Sequence, residues 1–108
     1  MRELFSYGEF INVVNEFSNV LIYTYSPTCN VCHADLPKIE DMVNNQNFTS
    51  FKVNIKEVPE LAGQLTLFSS PTVILFNEGK EYHRQVRLID FKELEYRILQ
   101  LKEYADAI

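Results

Sequence analysis

The sequence predicts an α/β fold, a central mixed β-sheet flanked by helices on both faces, because strand-like and helix-like stretches alternate in the order βαβαβαββα. Two apolar runs, Val20 to Tyr25 and Thr72 to Phe76, are dense in β-branched and aromatic residues and read as buried strands. At 108 residues, 46% hydrophobic and 13% aromatic, the chain is long enough for one core and too short for two. No internal repeat, low-complexity stretch or linker-like shift divides it, so one domain is expected over residues 1–108.

Taken in order, a short strand opens the chain around Arg2 to Phe5. Phe10, Val13, Val14 and Phe17 then recur at helical spacing and predict a helix from Tyr7 to Phe17. The strand Val20 to Tyr25 is broken by Ser26-Pro27-Thr28, after which a helix is expected from Cys29 to Asn44, with Leu36, Ile39 and Val43 on one face. Phe48 to Ile55 reads as a strand, and Pro59-Glu60-Leu61-Ala62 starts a short helix ending near Leu67, with proline in the first turn where its missing N–H costs nothing. Thr72 to Phe76 and Glu81 to Leu88 read as a hairpin joined by Asn77-Glu78-Gly79-Lys80. Asp90 has the character of an N-cap, with Glu93 at the third position, and the last helix turns Leu94, Ile98 and Leu101 inward. Tyr23 and Tyr25 are read as packing residues, and Tyr7 and Phe68 as members of the core or its edge.

Charge and composition exclude several classes. A net charge of −5 and a pI near 4.9 oppose binding to a phosphate backbone, which needs clustered Lys and Arg, so no nucleic-acid partner is expected. No apolar stretch approaches membrane-spanning length, and Met1 to Phe5 leads into a polar segment without a signal-peptide core. A cytoplasmic protein with no membrane association is the expectation. The only two cysteines, Cys29 and Cys32, are spaced as Cys-x-x-Cys at a strand-to-helix junction. In a reducing compartment such a pair is catalytic or metal-binding rather than a structural staple.

Three landmarks together resemble the thioredoxin family over nearly all of the chain. They are Tyr25-Ser-Pro-Thr-Cys-Asn-Val-Cys32, Pro37 five positions past Cys32, and Ser69-Ser70-Pro71-Thr72-Val73. The resemblance implies a thioredoxin-like fold, a cis Pro71 facing the dithiol, and substrate contacts at Thr28, Asn30, Val31, Ser70 and Pro71. It also shows departures. Thr28 stands where the family has Trp, Asn30-Val31 where it has Gly-Pro, and Tyr23 where it often has a buried Asp that moves protons at the second cysteine. Lys52 lies in the segment where the family places a Lys near that Asp; it either points toward the site or is a solvated strand lysine. His33 follows the second cysteine, where the family often has Lys or Arg, and either adds charge there at acidic pH, with Asp35 opposing it, or is an exposed helix residue. His83 is read as a half-exposed sheet residue. Ser70 either makes the substrate groove more polar or serves a tight turn.

A helix N-terminus beside the first thiol favours its thiolate, so Cys29 is the expected nucleophile and Cys32 the resolving thiol. Lowering a thiol pKa from about 8.5 to about 7 raises the thiolate fraction at neutral pH from roughly 3% to roughly 50%. Lower intrinsic nucleophilicity leaves a net gain of only about threefold. The leading reading is therefore a thiol–disulfide oxidoreductase that reduces disulfide-containing protein substrates, with no bound cofactor and with electrons from a reductase or a low-molecular-weight thiol. The alternatives are a redox-sensing or adaptor domain with little turnover, and a zinc or iron–sulfur site using Cys29, Cys32 and His33 or Asp35. A closed metal site wants four ligands, so no metal is expected unless two subunits share one.

Overall fold

The computed structural model describes residues 1–107. Its elements are β1 (Arg2–Leu4), α1 (Tyr7–Glu16), β2 (Asn19–Tyr25), α2 (Asn30–Asn45), β3 (Ser50–Asn54), α3 (Pro59–Leu65), β4 (Thr72–Asn77), β5 (Lys80–Val86) and α4 (Phe91–Ala107). The strands form one sheet in the order β1-β3-β2-β4-β5. β3 runs parallel to both β1 and β2, whereas β4 runs antiparallel to both β2 and β5. This is the mixed sheet that the alternation of patterns predicts.

β2 is buried on both faces, which is why its sequence is a continuous apolar run rather than an alternating one. Val20 and Ile22 join Phe10, Val13 and Val14 of α1 and Leu61 of α3 on one face. Leu21 and Tyr23 join Ile39 and Val43 of α2 and Leu94 and Ile98 of α4 on the other. Helices therefore cover both faces. Ser6 caps α1 by accepting the Glu9 N–H at 3.1 Å, and Asp90 caps α4 by accepting the Glu93 N–H at 3.0 Å, as its place in the sequence predicts. Glu78 and Gly79, with φ of 51° and 78°, form the two-residue hairpin turn, both in the left-handed region that this turn requires.

Most boundaries hold to within one residue, and three shift by two, each of these where a residue other than glycine takes a left-handed conformation. Asn47 (φ 52°) lets Phe48 donate its N–H to Val43 O at 2.8 Å, closing the end of α2, so β3 begins at Ser50 rather than Phe48. Thr66 (φ 58°) ends α3 at Leu65, short of Leu67. Arg87 (φ 68°) ends β5 at Val86, short of Leu88. Phe68 is a correction of another kind. It is 89% exposed rather than part of the core, because the chain leaving Thr66 buries Leu67 instead.

Since β4 runs antiparallel to β2 and β5, the carboxyl ends of β2 and β5 lie beside the amino end of β4. The segments Ser26 to Cys29, Ser69 to Pro71 and Arg87 to Ile89 thus meet at one end of the sheet.

Candidate active site

After Tyr25 the chain turns through Ser26-Pro27-Thr28. Cys29 N–H donates to Ser26 O at 3.1 Å, and the Ser26 and Thr28 hydroxyls are 3.2 Å apart. Cys29 is the N-cap of α2, with extended φ and ψ of −91° and 105°. Its Sγ accepts the Cys32 backbone N–H at 3.1 Å. A sulfur in this position takes the place of a capping oxygen, and the free N–H groups of the first turn stabilise negative charge on it. Cys29 is half-buried and Cys32 is 1% exposed. The two are joined by a disulfide, with 5.2 Å between their Cα atoms. Thr28, Asn30 and Val31 are exposed around the pair.

Beneath the pair, Tyr23 is wholly buried, and its hydroxyl donates to the Cys32 carbonyl oxygen at 2.9 Å. Burial pushes the Tyr23 hydroxyl well above the ordinary tyrosine range, and the Asp35 charge adds to that. It stays a proton donor at any physiological pH. Tyr25, on the same face, hydrogen-bonds Glu3 of β1; burial first, then this bond and the Glu3 and Glu57 charges, raise its pKa too. Lys52 is half-buried and lies between Glu3 and Tyr23 in sheet register, which sets it on the α2 side of the sheet. The exposed His33 ring donates through Nε2 to Pro27 O at 2.9 Å, tying the first turn of α2 to the preceding loop. His83 lies half-exposed on β5, away from the pair.

The loop before β4 lies at the same end of the sheet. The Ser70–Pro71 peptide is cis, as the resemblance implies. Pro71 is buried, and Ser69 and Ser70 are half-buried. Thr72 Oγ1 donates to Ser69 O at 2.9 Å, and Thr24 Oγ1 donates to Thr72 O at 3.0 Å. These bonds fix the loop to the end of β2, so the cysteines and Pro71 are held from one strand. Arg87 N–H donates to Pro71 O at 2.7 Å and brings the end of β5 against the same loop.

Sequence reasoning did not single out Arg87, and the sequence held no signal for it: Val86-Arg87-Leu88 keeps the apolar–polar alternation of a hairpin strand and so reads as more of β5. Among the described residues, no group of three or more His, Cys, Asp or Glu side chains is placed to hold a metal ion. Nor, among the described residues, is any helix long and apolar enough to cross a membrane.

A mixed five-stranded sheet, a disulfide at the N-cap of the helix after the central strand and a cis-proline loop at the same end of the sheet define a thioredoxin-like thiol–disulfide site. Residues 3–99 match the thioredoxin family model, and the chain belongs to that family. It is 31% identical over 99 residues to a thioredoxin-like protein of Bacillus subtilis, YdfQ, covering 91% of this chain and 88% of that protein. It is 38% identical over 72 residues to a thioredoxin of Chlamydia trachomatis, covering 66% and 71%. Among solved structures, a mutant thioredoxin from Halobacterium salinarum superposes with a TM-score of 0.85 at 23% identity, covering 93% of this chain and 88% of that one. A Fasciola hepatica thioredoxin superposes with a TM-score of 0.84 at 21% identity, covering 93% and 98%. The structural matches carry the fold, and the family match carries the general redox class.

Proposed function

We propose that this chain is a thiol–disulfide oxidoreductase that reduces protein disulfides through Cys29 and Cys32. The observation that carries this reading is the asymmetry of the pair: a half-buried Cys29 Sγ that receives the Cys32 N–H, beside a Cys32 that is 1% exposed. In the reduced form the Cys29 thiolate attacks one sulfur of the substrate disulfide. The Cys29–substrate bond forms, the substrate S–S bond breaks, and the first substrate thiolate leaves. Cys32 then loses its proton to solvent and attacks Cys29 Sγ, releasing the second substrate thiolate. Two electrons have passed to the substrate, and the Cys29–Cys32 disulfide remains. An external reductase or low-molecular-weight thiol restores the dithiol, and no bound cofactor is needed. Holding Cys32 beside the mixed disulfide gives the second step its high effective concentration.

Thr28, Asn30 and Val31 on one side and Ser70 and Pro71 on the other form the substrate walls in this reading. An extended substrate segment pairs with the Ser70 loop as an added strand pairs with a sheet edge. His33 and Lys52 are modulators, His33 through its hold on the Pro27 loop and Lys52 through its charge beside Tyr23. The dithiol works in a reducing compartment, which we take to be the cytoplasm.

Tyr23 supports a second reading. Its protonated hydroxyl offers the Cys32 proton no acceptor, and slow resolution suits a redox sensor or adaptor with little turnover. An insulin-type reduction assay with dithiothreitol, run beside Cys29→Ser and Cys32→Ser, separates the two. The oxidoreductase shows turnover above the thiol background that Cys29→Ser abolishes, and Cys32→Ser accumulates a mixed disulfide. Background turnover with a pair that still forms its disulfide selects the sensor or adaptor.

A further inference from the structure

The loop at Pro71 carries a feature that sulfur chemistry alone does not use. Arg87 N–H donates to Pro71 O at 2.7 Å, so an arginine backbone lies directly against a loop at the same end of the sheet as the cysteines. Its φ of 68° is uncommon for a long side chain. Among the described residues Arg87 joins no ion pair. The neighbouring Arg84 and Arg97 are held by Glu81 at 2.7 Å and by Glu93 at 3.3 Å, and the Asp90 carboxylate is engaged in capping α4. Glu57 follows β3, two strands away from β4 in the sheet order. Arg87 is exposed. Leu88, 87% exposed, follows it in the chain, and Phe68, 89% exposed, precedes the Ser69 to Pro71 loop. These are the two most exposed large apolar side chains among the described residues. Arg87 is thus an exposed cation on a chain of net charge −5, set by its backbone against the Pro71 loop and next to an exposed apolar side chain.

We propose that Arg87 is a specificity-determining residue, selecting disulfides with an Asp or Glu side chain within two residues of the attacked cysteine. Apolar residues of the same substrate segment cover Phe68 and Leu88. Charge complementarity sets the choice: among the described residues the guanidinium pairs with no carboxylate, and a substrate lying along the Ser70 loop brings one to it. The inference rests on the oxidoreductase reading.

The test uses peptides with one intramolecular disulfide and either Glu or Gln on both sides of the attacked cysteine. Second-order rate constants for reduction by the full reduced chain are measured by quenched flow. The Glu-to-Gln rate ratio is compared between wild type and variants, because the repulsion of the Glu peptide by the net charge is common to them to within one charge. The ratio is expected to fall about threefold in Arg87→Gln, the range of a solvent-exposed ion pair. The difference in this ratio between wild type and Arg87→Gln is expected to shrink at high salt, and the wild-type ratio is expected to survive in Arg87→Lys. Arg87→Gly, which accepts the backbone conformation freely, is expected to match Arg87→Gln, separating charge from loop geometry. An unchanged ratio in Arg87→Gln, with both peptides still reduced, overturns the role of Arg87 and leaves the oxidoreductase reading standing. Failure of wild type to reduce either peptide overturns both.

Discussion

Tyr23 lies beneath the dithiol as a support rather than as a proton acceptor. Its hydroxyl holds the Cys32 carbonyl from below at 2.9 Å, and burial raises its pKa, so it positions the first turn of α2 and does not accept a proton. Tyr23→Phe is expected to lower stability in urea denaturation by about 1 kcal/mol, the net worth of one buried hydrogen bond. Turnover at neutral pH is expected to stay within about twofold and the pH profile to keep its shape, since no titrating group is lost. A shift in the profile would instead make the hydroxyl a participant in proton transfer. Cys29 and Cys32 were legible in the sequence because their spacing and their place at a helix start are local signals. The Tyr23 bond was not, because it depends on how far α2 overhangs the sheet. Phe68 was misread for a related reason: an apolar side chain in a loop has no periodicity to say whether it turns inward, and the left-handed Thr66 decides that it does not.

At the scale of elements, the hydrophobic periods identified all nine strands and helices, while the ends moved wherever Asn47, Thr66 or Arg87 adopted positive φ. Glycine announces such a turn in a sequence and these residues do not, so the stops of α3 and β5 were invisible. The packing of β5 against α4 has a pH consequence. Burial lowers the pKa of His83 below 6.5, the Arg97 charge lowers it further, and Glu93 offsets part of this. The neighbouring Gln85 Nε2 lies 3.0 Å from His83 Nε2 and donates to it in the neutral ring. The folded state thus prefers the neutral form. The unfolded chain binds the proton more readily below pH 6.5, so this contribution to stability is complete above the unfolded pKa and is lost as pH falls through the folded one. Urea titrations of wild type and His83→Gln between about pH 5 and 8 are expected to differ by a slope confined to the acidic side. Arg97→Gln is expected to raise the His83 pKa in an NMR titration, and a fall would remove the Arg97 charge from the account.

For the whole molecule, the question is whether the two apolar layers form separate cores or one cooperative unit. The sheet answers it structurally, because adjacent residues of a central strand serve opposite layers. Ile74 packs with α1 and α3, and Leu75 with α2 and α4, and both are fully buried. Disturbing either therefore strains the same backbone. Ile74→Ala and Leu75→Ala are each expected to cost about 2–5 kcal/mol, the usual range for a buried aliphatic truncation whose cavity collapses only in part. Each variant is expected to unfold in a single transition, with far-UV circular dichroism and tyrosine fluorescence coincident and the denaturant slope unchanged. That outcome supports one domain over residues 1–108. Two transitions in either variant would mean that one helical layer can melt while the other keeps the sheet. The cysteine site, built from the ends of β2, β4 and β5 together with α2, would then depend on the α2 and α4 layer alone.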